Sequence, residues 1–254
     1  MNVMVNHKKW IFQGIFLFLT LSAYAQIDLG KGLITKIVYN TSYNERTDPD
    51  QNPIWLLTND NKALITNRDQ MNGKASHPYE MIWANTERKN YVQYAFLENS
   101  DCVSMMDSTS IGKQDWSLMD ETKEILGHRC KKARTSINSN TIEIFYTDEL
   151  KVKGGPSLLG VSLGLVLELV RNGNYKVTAT SISQEKVALP DFVKNASPLS
   201  LEKIDYNDRI WRSRYVTVPV FDHQQICFTD GPLDIVNGIM RFANGTIVVK
   251  KVKF

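Results

Sequence analysis

The segment Gly160-Val161-Ser162-Leu163-Gly164 satisfies G-x-S-x-G, in which two glycines let the chain turn sharply enough to expose a serine hydroxyl as a nucleophile. Such a serine needs a base and a group to orient it, and chain order offers Asp205 or Asp222 and then His223. The elbow belongs between a strand and a long helix, whereas short extended segments surround this one, so a serine hydrolase is only the alternative expectation. Metal chemistry has less to build on. Beyond residue 25 the histidines are His77, His128 and His223, none in H-E-x-x-H, and no C-x-x-C exists. His128 and Cys130 would share one face of a strand and so a soft metal, but a turn-flanking histidine and a small buried thiol explain them with less. Asp120-Glu121 and Asp148-Glu149 are adjacent carboxylates that point to opposite sides of a strand and cannot act as an acid–base pair. Trp55, Trp83 and Trp116 suit a core as well as a ligand cleft. The expectation is no metal, no cofactor and no catalytic residue.

The elements that carry these residues alternate with period 2. Leu33–Tyr39, Ile54–Thr58, Tyr91–Leu97, Arg129–Ile137, Thr141–Tyr146, Val166–Val170 and Tyr175–Ile182 are short, rich in β-branched and aromatic residues, and bounded by Asn, Asp and Gly. Turn chemistry joins several of them, notably Asn172-Gly173 and Asn244-Gly245, whose tolerance of positive φ matches strand twist. The chain is therefore expected to be mainly β: a single antiparallel, curved, half-barrel-like sheet of sequential hairpins, with one or two short helices. The helix signals are Ser197-Pro198 through Ile204 and, more weakly, Asp230 to Val236. The polar stretch from about Glu185 to Asp208 reads as a connection, and the last 45 or so residues as a hairpin added to the main sheet. From Gly154 to Val170 one charge, Glu168, and internal glycines describe a loop entering a buried strand at Leu165.

The N-terminus has the three parts of an export signal: Lys8-Lys9, an apolar run from Trp10 to Leu21, and Ala23-Tyr24-Ala25. Cleavage between Ala25 and Gln26 leaves 26–254 as one β domain, with about 185–254 as its C-terminal extension, and no transmembrane segment. Without the leader, 28 basic side chains face 27 acidic ones, which removes the positive footprint that nucleic-acid binding needs. Cys102, Cys130 and Cys227 are odd in number, so at most one bridge forms among them.

The most distinctive stretch is Trp116-Ser117-Leu118-Met119-Asp120-Glu121-Thr122-Lys123-Glu124-Ile125-Leu126-Gly127-His128-Arg129-Cys130-Lys131-Lys132-Ala133. It resembles the GLPGLI family of exported Bacteroidetes proteins, whose members carry a Trp, an acidic-Thr-Lys run and Ile-x-Gly-aromatic-x-Cys-x-Lys-Ala. Phe145 to Leu150 and Gly164 to Leu169 continue the likeness, while Val161-Ser162-Leu163 departs from the name motif. The strand order is also similar to periplasmic lipoprotein carriers. The leading expectation is an exported, non-enzymatic protein of this type, in the periplasm, at the outer membrane or secreted, whose antiparallel sheet, with one dry face and little helix to cover it, binds a hydrophobic ligand, a lipid or an outer-membrane protein. A purely structural interaction module is the other alternative.

Overall fold

The computed structural model describes residues 27–30, 32–98, 101–106, 114–218, 239–241 and 247–250. Strand accounts for 51% and helix for 12%, so the chain is mainly β, and one large, mostly antiparallel open sheet dominates. In chain order its strands are β1 (Ile34–Tyr43), β2 (Arg46–Thr47), β3 (Ile54–Asn59), β4 (Lys62–Asn67), β5 (Tyr79–Asn85), β6 (Asn90–Phe96), β7 (Cys102–Met106), β8 (Ser117–Ile125), β9 (His128–Ile137), β10 (Asn140–Thr147), β11 (Leu165–Arg171), β12 (Tyr175–Glu185) and β13 (Leu199–Ser200). Across the sheet they run β13-β7-β6-β5-β4-β3-β1-β12-β11-β10-β9-β8, with β2 paired to β1. Two meanders of hairpins therefore meet where β12 returns to β1, in a ten-residue register shifted once at Val38/Tyr39. All seven strands expected from alternation are present, and the only parallel neighbours among named strands are β13 and β7.

Of the stretch from about 185 onward, β13 joins this sheet. Three strands, β14 (Tyr215–Val218), β15 (Ile239–Arg241) and β16 (Ile247–Lys250), instead pair among themselves in a separate sheet. The helices are α1 (Arg68–Met71), α2 (Asp191–Lys194) and α3 (Lys203–Arg214). The helix expected from Ser197 starts six residues later, because Leu199 and Ser200 satisfy their backbone against β7. Asp230 to Val236 lies outside the described residues.

The sheet's dry surfaces are covered by the chain itself. One buried cluster, around Ile37, Leu56, Leu165 and Leu167, receives Val161 with Leu150, Val152 and Leu158 from the β10–β11 connection. Leu159 and Leu163 of the same connection pack on a second cluster around Ile144 and Val166. Two glycines let this connection lie so close. A Cβ on Gly164, at φ +157°, would stand 2.5 Å from the carbonyl oxygen of Thr147, and one on Gly160, at φ +76°, 2.2 Å from Ile144. The third cluster, from Leu57 and Met81 to Phe96, is covered by Ile27 and Leu29 and by Val187, Leu189 and Val193. Asn59 donates to the Leu29 carbonyl at 3.1 Å, and Lys62 pairs with Asp28, which stitches this first segment down.

Candidate functional site

The sequence-derived residues are not brought together by anything in the described structure. Ser162 is exposed in a turn closed by the Leu163 N–H donating to the Gly160 carbonyl at 2.9 Å. A loop precedes it and strand β11 comes after it, the reverse of the strand–turn–helix order that an elbow uses. Its two glycines are explained by the contacts with Ile144 and Thr147. Asp205 is exposed in the first turn of α3, while Asp222, His223 and Cys227 lie outside the described residues, as do Ala25 and Gln26. Cys102 and Cys130 are free thiols, which burial pushes up to about 12 and about 11. His128 faces Glu149 at 3.2 Å, and no three His, Cys, Asp or Glu side chains among the described residues group around a metal-sized space. The paired carboxylates serve separate partners: Asp148 with Lys131 at 2.7 Å and Glu121 with Lys132 at 2.8 Å. Trp83 is buried, and Trp55 lies under the Lys36 ammonium at 3.6 Å.

Two polar sites whose partners the sequence did not disclose carry more. The first is Glu168, 3% exposed, whose carboxylate accepts from Lys123 at 2.9 Å on both oxygens and from the Thr178 hydroxyl at 3.0 Å. Its charge is fully partnered, as a buried carboxylate must be. Lys123 reaches it from β8 with its ammonium 5.3 Å from the Phe145 ring.

The second is the junction at α3. The helix KIDYNDRIWRSR places Asp205 at its positive end and Arg212 and Arg214 at its negative end, and Asp208 pairs with Arg212 one turn on at 2.6 Å. Tyr206 and Ile210, four apart, fall on one face and bury themselves against Ala95, Leu97, Val103 and Met105 of the β6–β7 end of the sheet. Glu80 on β5 then ties the helix at both ends. The Tyr206 hydroxyl donates to its Oε1 at 3.0 Å, and the Arg214 guanidinium stands 3.8 Å from its Oε2. Burial, with the nearby Glu80 charge, raises the Tyr206 phenol, so it stays protonated and able to donate. Residue 215 begins β14 with no residue between. The chain thus leaves the large sheet through a docked helix and enters the separate three-stranded sheet directly.

A β module whose last helix hands the chain to a second sheet is the class of structure this geometry defines. The family described as N-glycanase peptide, N-terminal domain, matches residues 37–208, and this chain belongs to that family. The family described as Peptide-N-glycosidase F, N terminal, matches residues 217–254. Two solved structures of PNGF-II are similar. The one in a C2 space group has a TM-score of 0.68 and 43% identity, over 87% of this chain and 40% of its own. The one in a P21 space group has a TM-score of 0.70 and 43% identity, over 88% and 41%. The chain thus spans about two-fifths of the length of those relatives. No curated protein matches.

These matches correct the GLPGLI resemblance. They run through the same residues, Trp116 to Leu169, over a far greater length of chain. What the short motif recorded is a hairpin: Leu126-Gly127 is its two-residue turn, at φ 53° and 80°, Cys130 is buried, and Lys132 is an ion-pair donor. Those requirements belong to any tight, charged hairpin.

Proposed function

We propose that this chain is an exported, non-catalytic N-terminal module of a peptide N-glycanase, and that α3 and Glu80 hold the unit beginning at residue 217 against the large sheet. The observation that carries this reading is the gap between the two family matches, residues 209–216, which falls across the end of the docked helix and the start of β14. A connection buried by Tyr206 and Ile210 and clamped at Glu80 sets the orientation of the next unit of the chain, whereas a solvated linker would leave orientation free. Export rests on the leader pattern ending at Ala25. No helix among the described residues is long and apolar enough to cross a membrane. The expected hydrophobic ligand, lipid or outer-membrane partner finds no support, because segments of the chain itself pack on the apolar clusters.

The test is release of N-linked glycans from a glycoprotein. It compares the 254-residue chain with a fusion of this chain to the part of PNGF-II beyond the matched stretch. The fusion is expected to release glycan and the chain alone to release none. Release by the chain alone, or labelling of Ser162 by a fluorophosphonate, overturns the reading.

A further inference from the structure

A half-open notch of about 330 Å³ lies where the tip of the β1–β2 hairpin meets the tip of β11–β12, lined by Ser42, Asn44, Glu45, Gly173, Asn174 and Lys176. Its frame is held by backbone. Asn44 donates its N–H to the Asn174 carbonyl at 2.8 Å, which joins the two turns, and Ser42 sits opposite Lys176 in the β1–β12 register. Asn44 and Glu45, at φ 47° and 63°, and Asn172 and Gly173, at 52° and 73°, form tight turns that match the strand twist, so the backbone that frames the notch is set before any ligand arrives.

Neither the Glu45 carboxylate nor the Lys176 ammonium has an ion-pair or hydrogen-bond partner among the described residues, although both border the same space. Asn174 donates through Nδ2 to the Tyr43 hydroxyl at 3.3 Å, which fixes its amide and leaves Oδ1 as an acceptor. One carboxylate is too few oxygens for a divalent cation, and its charge opposes an anion at Lys176. Hydroxyl, amides, carboxylate and ammonium together, in a space at the lower end of small-molecule sites, suit a neutral ligand that offers donors and acceptors on every side. That is the chemistry of a pyranose ring.

We propose that this notch binds a single sugar unit of a glycan, with Glu45 accepting from one pair of hydroxyls and Lys176 donating to another. The sugar class rests on the N-glycanase reading; the notch does not. The test is a titration of the isotope-labelled full chain with N-acetylglucosamine and with mannose, followed by backbone amide shifts. The expected result is saturable shifts confined to residues 42–45 and 173–176 for at least one of the two sugars. Affinity should weaken by about tenfold in Lys176→Ala and in Glu45→Gln, which remove charged hydrogen-bond partners from exposed positions. Unchanged thermal midpoints show that both variants fold. No saturable shift with either sugar, shifts elsewhere on the sheet, or shifts indifferent to both variants overturn the proposal. Loss of sugar binding with glycan release intact in the fusion removes the notch alone, and sugar binding with no glycan release removes the parent reading alone.

Discussion

The two edges of the large sheet are treated in opposite ways. At β8 the edge is open: eight of its nine residues, Ser117 to Glu124, are exposed, with charges at Asp120, Glu121, Lys123 and Glu124 and a register shift between Met119 and Thr122. Charge and irregularity are how an uncovered edge resists pairing with another chain. At β7 the edge is closed: β13 pairs with it in parallel and α3 lies across it through Tyr206 and Ile210. The difference separates an edge that must stay unpaired from one that carries the chain onward. The covered edge is where the family assignment changes from one description to the next.

Removing the central contact of the covered edge should have the largest effect. Tyr206→Ala leaves a hole among Ala95, Leu97 and Val103 and is expected to destabilise the chain by about 3–5 kcal/mol, read by urea unfolding. Tyr206→Phe, which keeps the ring but removes the donor to Glu80, should cost only about 1 kcal/mol. If the two variants cost the same, the hydroxyl rather than the ring holds the helix.

Besides the buried Ile125, the open edge sends Lys123 inward to a buried charge. Lys123→Met deprives the buried Glu168 carboxylate of its cation while Thr178 still donates, and a loss of about 2–3 kcal/mol is expected in the same unfolding measurement. No loss would mean that the threonine suffices. The outward charges of that edge act against association instead. Asp120→Val combined with Glu121→Val should shift the chain from monomer to larger species in size-exclusion chromatography with light scattering, at little cost in stability. A monomer at high concentration would show that the bulge alone protects β8.

The smallest effect belongs to the Glu121–Lys132 pair. Hydrogen bonding to Glu121 raises the Lys132 ammonium above its ordinary value, so the pair's contribution is complete below about pH 10.5 and fades as pH rises through the raised value. Glu121 is largely exposed and solvent screens the pair, so Glu121→Gln should cost less than about 1 kcal/mol at pH 8. That difference from the wild type should shrink above pH 11, checked by thermal midpoints at both values. A difference that grows with pH would reverse the assignment.

Seven of the strands are legible in the sequence because each has at least one buried side, and β11, from Leu165 to Val170, is buried on both. In β10, Ile142, Ile144 and Tyr146 alternate against Thr141 and Glu143, and the pattern survives translation into structure. β8 does not alternate, since an exposed edge has no dry face to record, and it surfaces only as a charged motif. Helix α3 buries just Tyr206 and Ile210 of twelve residues, so its amphipathic stripe is too thin to stand out. Glu80 is silent for a different reason: its partners lie 126 residues or more along the chain, and no local pattern marks a carboxylate that waits for them. The G-x-S-x-G segment has a packing requirement that its pattern does not announce: Gly160 and Gly164 lie so close to Ile144 and Thr147 that a side chain at either would collide.

Hydrogen exchange of the full chain across Lys203–Arg214 tests most directly whether the helix is a docked connection. Amides of α3 from Tyr206 onward should exchange as slowly as those of β6 and β7, and Tyr206→Ala should release α3 while β9 and β10 stay protected. Exchange in the unsubstituted chain at the rate of a solvated linker would contradict the account.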